Sequence, residues 1–164
     1  MKTPKRRRKE GKTDYNKRLS LLKGKKPRVV FRKTNRYIIS QYITSKEAQD
    51  KVEFSITSKI LMKYGWPKEA EGSLKSITAS YLTGLLFGKK IIKEKKKNPI
   101  LDVGMIRALH KGKVFAFIKG LIDAGLEIEC DKEFFPEKER IEGKQLKNKI
   151  PFNEIKSKIE REHA

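Results

Sequence analysis

Apolar residues first fall into a strand rhythm at Arg28–Lys33, where Val29 and Phe31 alternate with Val30 and Arg32. The β-branched and aromatic stretch Tyr37–Ile43 follows after the polar Thr34-Asn35 turn, which predicts an antiparallel hairpin with a basic tip. Thr44–Lys51 is polar and is expected to be a loop. Val52, Phe54 and Ile56 then alternate with polar residues as a half-buried third strand would. Ser58–Tyr64 predicts a short helical turn closed by Gly65, with Pro67 beyond it. From Leu74 the spacing changes to three and four: Leu74, Ile77, Tyr81 and Leu85 mark a long amphipathic helix running into Lys93–Lys97. Pro99–Val103 is an apolar run suited to a covered strand. Val114, Phe117, Ile118, Leu121 and Ile122 trace a second helix ended by Gly125, and Leu126–Cys130 reads as a last strand.

This order predicts an α/β fold with a mixed β-sheet packed with helices. An antiparallel three-strand meander lies on one side and parallel βαβ strands on the other, because strand–helix–strand units close by right-handed crossovers. Ahead of the first strand, Asp14–Lys23 predicts a short helix with Asp14 near its N-terminus, docked through Leu19, Leu21 and Leu22. Phe152, Ile155 and Ile159 suggest a terminal helix. The expected division is a basic arm over 1–23, a globular body over 24–143 and a C-terminal tail or helix over 144–164.

Charge changes this picture most at the beginning of the chain. Residues 1–36 carry sixteen Lys and Arg against Glu10 and Asp14, about two-thirds of a net charge of +21. So basic a segment repels itself and builds no core, so it calls for a dense polyanion, of which nucleic acid is the commonest. Arg6, Arg7, Arg8 and Lys9 are too dense for an ordinary solvated face. They predict an extended cationic arm that orders on RNA, joined by Lys25 and Lys26 in the turn before the first strand. The hairpin residues Arg32, Lys33, Thr34, Asn35 and Arg36 suit phosphate and 2′-hydroxyl contacts. Tyr15 and Tyr37 either stack on unpaired bases or pack against the sheet. Lys93–Lys97 is either a solvated helix end or a second RNA contact.

Other chemistry finds little support. Cys130 is the only cysteine and cannot form an internal disulfide, which points to a reducing, cytoplasmic setting; with His110 and His163 it makes no zinc constellation. No apolar run reaches the roughly eighteen residues of a membrane span. Gly84–Lys89 only superficially matches a phosphate-binding loop and lies in a helical pattern, where Gly84 and Gly88 are expected to let the helix approach the sheet. Asp102, Asp123 and Glu53 do not assemble into a two-metal nuclease pattern. His110 has no identifiable partner for catalysis. The expectation is therefore a non-enzyme with no cofactor, no membrane and no small-molecule substrate.

Five blocks in order carry a resemblance: RRRKEGKTDYNKRLSLLK at 6–23, KPRVVFRKTN at 26–35, SYLTGLLFGKK at 80–90, ILDVG at 100–104 and VFAFIKGLIDAGLEI at 114–128. Together they closely resemble the archaeal and eukaryotic branch of large-subunit ribosomal protein eighteen, over nearly the whole chain to about residue 143. That resemblance implies a ribosomal, cytoplasmic protein that binds 5S rRNA and fixes it in the central protuberance against large-subunit rRNA, beside neighbouring ribosomal proteins. It implies that Gly11, Lys12, Thr13 and Tyr15, with Arg6, Arg7, Arg8 and Arg18, lie on 5S rRNA. Arg28, Arg32, Lys33, Asn35 and Arg36 would form a second contact surface.

Overall fold

The computed structural model describes residues 3–146 and 148–162. Met1 and Lys2 of the basic leader, Lys147, and His163 and Ala164 lie outside the described residues. A four-stranded sheet in the order β3-β2-β1-β4 organises the chain, with β1 Arg28–Lys33, β2 Ile38–Lys46, β3 Gln49–Thr57 and β4 Ile100–Asp102. β1, β2 and β3 form the expected antiparallel meander, and β4 pairs parallel to β1, with Arg28 opposite Ile100.

The alternation of β1 explains its burial. Val29 and Phe31 face one side, where they meet two helices, α3 Ile77–Lys93 and α4 Lys113–Asp123. Phe31 packs on Phe117 at 5.0 Å and Phe54 on Phe87 at 5.0 Å, so aromatic rings join the sheet to both helices. Arg28, Val30 and Arg32 point to the opposite, outer face of the sheet. A further helix, α6 Phe152–Glu162, inserts Ile155 and Ile159 into the same core and sets Phe152 5.6 Å from Tyr81. The terminal helix read from Phe152, Ile155 and Ile159 thus forms where its apolar spacing puts it. Between Tyr64 and α3 the chain is pinned by Ser58, whose hydroxyl accepts from Ile38 N and donates to Leu74 O.

Four expectations are corrected. Thr44–Lys51 is not a loop: β2 and β3 continue to Lys46 and Gln49, and only Glu47 and Ala48 turn, both with positive φ (51° and 65°). That is the backbone of a two-residue hairpin turn whose twist matches its strands, made here without the Asn-Gly or Asp-Gly that would announce it. Val52 does not share the face of Phe54, because Tyr42 pairs with Phe54 while Ile43 pairs with Val52; the extra residue, Glu53, turns Val52 outward to 46% exposure. Leu126–Cys130 forms no strand. Leu126 is buried, while Ile128 and Cys130 pack at the core's edge from an irregular segment, so one-sided burial produced the alternation without a pairing partner. Gly84 and Gly88 bring α3 against α4 and not against the sheet: an added Cβ at Gly84 would lie 2.3 Å from Phe117 O, and one at Gly88 2.5 Å from Ala124 Cβ.

Candidate nucleic-acid interface

The basic leader is folded back on itself. Arg6–Lys9 forms a single helical turn, α1, and Gly11 at φ +62° reverses the chain so that Lys12 N and Thr13 N both donate to Arg7 O. Arg7 Nε also donates to Thr13 Oγ1 at 2.9 Å. Glu10 accepts ion pairs from Arg6 at 3.3 Å and Lys12 at 2.8 Å, which relieves part of the repulsion. The expected extended arm is therefore corrected to a compact turn in the free protein. Arg6, Arg7, Arg8 and Lys9 are all exposed on it.

Next comes α2, Tyr15–Lys23, formed as its sequence suggested: Asp14 Oδ1 accepts from Asn16 N and Lys17 N, capping the first turn. Its Leu21 and Leu22 are half-buried, whereas Leu19 remains 55% exposed and does not dock. Polar links hold the same face of the helix. Arg18 Nη1 donates to Asp50 Oδ2 at 2.8 Å, and Lys17 Nζ to Gly104 O at 3.4 Å.

Beneath this helix sits Arg28, only 2% exposed. Its guanidinium donates to Asp102 Oδ2 at 2.9 Å, Asp50 Oδ1 at 2.7 Å and Ser45 Oγ at 3.0 Å, and so joins β1 to β4 and to the β2–β3 hairpin. Burial pushes the Asp50 carboxyl up, but hydrogen bonds from Arg18 and Ser45, with the charge and bond of Arg28, outweigh it and hold the group below its ordinary 3.8. Arg28 is expected as an RNA contact from the resemblance. The structure places it under the surface, with its donors committed to carboxylates, where it supports the interface from below.

Between the leader, α2 and the outer face of β1 and β4 lies a cleft of about 590 Å³. Arg7, Lys12, Lys17, Arg18, Arg32 and Lys33 border it, with Val30, Ile43, Val103 and Ile106 among the apolar lining. Its three carboxylates are already occupied: Asp14 caps α2, while Asp50 and Asp102 are neutralised by arginines. The net field of the cleft is thus cationic, and several donors converge on a space that a phosphate-bearing strand can enter. Exposed cations of this kind make binding strongly salt-dependent.

The remaining expected residues divide by position. Arg32 and Lys33 lead from the cleft to the hairpin tip, where Asn35 and Arg36 are exposed. Thr34 is exposed, but its hydroxyl donates to Tyr37 O and accepts from Tyr37 N, both at 2.8 Å, and so closes the turn. Tyr37 is half-buried and donates its hydroxyl to Glu71 Oε1 at 3.0 Å, which favours packing over stacking. Tyr15 lies under Lys5, whose Nζ is 4.6 Å from the ring centre. Lys25 and Lys26 stand in the turn just before β1 and do not line the cleft. Lys17 was not anticipated, yet Asp14, Lys17, Arg18 and Leu21 share one helical face, a signal present in the spacing. Asp50 was not findable, since it reaches Arg28 only through the unannounced Glu47-Ala48 turn. Asp102 and Asp123, weighed as nuclease carboxylates, instead accept from Arg28 and from the Tyr81 hydroxyl.

Comparison with known proteins places the chain in a family. Residues 1–99 match the family model described as ribosomal large subunit proteins 60S L5 and 50S L18. Among curated proteins, large ribosomal subunit protein uL18 of Korarchaeum cryptofilum is 42% identical over 159 residues, 97% of this chain and 80% of that protein. The protein of the same name from Methanoculleus marisnigri is 43% identical over 148 residues, 90% of this chain and 82% of its own length. That of Methanospirillum hungatei is 40% identical over 146 residues, covering 89% and 81%. The class is thereby defined as a structural, non-enzymatic protein of the large ribosomal subunit, in the cytoplasmic ribosome. Within that class, the chain belongs to the family of 60S L5 and 50S L18.

Proposed function

We propose that this protein binds 5S rRNA and anchors it in the central protuberance against large-subunit rRNA and neighbouring ribosomal proteins. In this reading residues 1–23 are the RNA-binding arm, 24–143 the body that presents the hairpin, and 144–164 the segment that closes the core with α6. One observation carries it: the exposed cations of the leader, of α2 and of β1 converge on a single cleft whose carboxylates are already engaged, Asp50 and Asp102 by arginines and Asp14 as the cap of α2. The mechanism is neutralisation of phosphates, with Arg6, Arg8 and Lys9 on the outer side of α1, and Asn35 and Arg36 at the hairpin tip, extending the contact beyond the cleft. Recognition is of shape and backbone more than of base edges.

Deleting residues 1–12 should leave the unfolding midpoint of the body nearly unchanged, since no residue of α1 is buried. The deletion should lower 5S rRNA affinity and reduce the log-log salt slope by roughly 0.7–0.9 for each phosphate the leader neutralises. Filter binding across a salt series measures both quantities. Equal affinity and slope for the two chains would refute the role of the leader.

A further inference from the structure

A second group of cations lies outside the lining of the cleft, just before the N-terminal ends of the two parallel strands. The loop before β1 carries Lys25 and Lys26, and the loop before β4 carries Lys95, Lys96 and Lys97. Two contacts set these loops side by side: Ile100 N donates to Pro27 O at 2.9 Å, and Arg28 pairs with Ile100. Tyr42 fixes the second loop from beneath by donating its hydroxyl to Lys97 O at 2.9 Å. All five lysines are exposed, and none lines the cleft.

Their charges are mostly uncompensated. Lys96 pairs with Glu53 at 3.6 Å, but Lys25, Lys26, Lys95 and Lys97 have no carboxylate within ion-pair distance among the described residues. Carboxylates are nearby but committed or peripheral: Glu53 also pairs with Lys51, Glu94 pairs with Lys90, and Glu47 and Glu127 are exposed at the margin.

Lysines at the ends of α2 and α3 would complement two helix dipoles, yet these reach beyond both helices. Lys25 and Lys95 moreover occupy the left-handed region, each at φ 49°, one residue past the helix cap. Glycine or asparagine takes that position most easily. The chain places a lysine there in both loops, so charge prevails over backbone comfort twice at one edge.

The geometry points to a second RNA-docking surface, in which Lys25, Lys26, Lys95 and Lys97 grip the phosphate backbone of an RNA duplex at the N-terminal ends of β1 and β4, outside the lining of the cleft. Lysines act as point charges on flexible stems, which suits a phosphate ladder and gives no base readout. Exposed loops whose side chains are mainly lysine offer more to a phosphate backbone than to an apolar protein face. This surface is independent of which RNA occupies the cleft.

The test uses the full chain with Lys25→Asn, Lys26→Gln, Lys95→Asn and Lys97→Gln; asparagine retains the left-handed backbone, so the fold should be preserved, and circular dichroism checks that it is. The probe is a plain RNA duplex unrelated to 5S rRNA. The variant should bind it at least about tenfold more weakly in moderate salt, with the log-log slope reduced by roughly three. A companion variant with Arg7, Lys12, Arg32 and Lys33 changed to Gln should keep most duplex binding while losing 5S rRNA. Unchanged duplex affinity and slope in the first variant would overturn the second surface and leave the cleft reading standing. Retention of 5S rRNA by the companion variant would overturn the cleft reading alone. Lysine crosslinking in intact large subunits supplies the other arm: crosslinks from Lys25 and Lys97 to RNA support the surface, and crosslinks only to protein overturn it.

Discussion

Replacing Arg28 with alanine should destabilise the protein by about 3 kcal/mol, the lower part of the range for breaking a buried ion pair, because Asp50 and Asp102 keep partial access to water. The loss comes less from the attraction removed than from what is left behind. Two carboxylates and the Ser45 hydroxyl would face the space of a missing guanidinium, and β4, only three residues long, would lose its side-chain tie to the sheet. Urea denaturation measures the difference. A change below about 1 kcal/mol would mean that the network is in effect a surface pair. Acid titration gives a second readout. Asp50 has its folded value depressed below 3.8, so its contribution is fully present above that value and is lost as pH falls through the folded one. Below about pH 4, the wild-type protein should therefore lose stability more steeply than the Arg28→Ala variant.

Substituting alanine for Gly120 should cost about 3 kcal/mol, near the top of the usual range for overpacking. Helix propensity alone gives the opposite sign, since alanine in a helix interior is favoured over glycine by about 1 kcal/mol. The contact decides. A Cβ on Gly120 would lie 2.3 Å from Tyr81 O and 2.8 Å from Leu85 N, and both are backbone atoms of α3 that no rotamer change can move. The helices would have to separate, opening the Phe87–Phe117 contact between them and straining the Phe31–Phe117 contact that seats α4 on the sheet. Thermal unfolding should show a clear drop in midpoint. A neutral or raised midpoint would show that the α3–α4 seam yields without cost.

What the chain reveals before folding depends on whether a feature is local. Asp14 ahead of Tyr15–Lys23 records a helix cap, while the three-and-four spacing through Leu85 and the alternation of Arg28–Lys33 record burial within one element; each forms where its pattern lies, except that the helix read from Leu74 begins at Ile77, with Leu74 buried in the turn before it. The Glu47-Ala48 turn escapes because its left-handed backbone is imposed by strand pairing and not by its residues. Leu126–Cys130 misleads because alternation reports one-sided burial, which an unpaired segment also achieves. Within the interface, the density of Arg6–Lys9 was plain from charge alone. The role of Arg28 was not, since nothing at position 28 announces that residues 50 and 102 will converge on it. The partner of Gly84 was equally hidden: a small residue on a helix signals close approach but does not say to what.

In the proposed function, 5S rRNA lies in the cleft between the leader and the outer face of the sheet. Ultraviolet crosslinking of the full chain to purified 5S rRNA, with the attached peptides mapped, tests it most directly. Crosslinked peptides are expected from residues 6–18 and 32–36, which border the cleft or extend from it to the leader's outer side and the hairpin tip. Crosslinks confined to α4 or α6, or no complex with 5S rRNA at low salt, would contradict it.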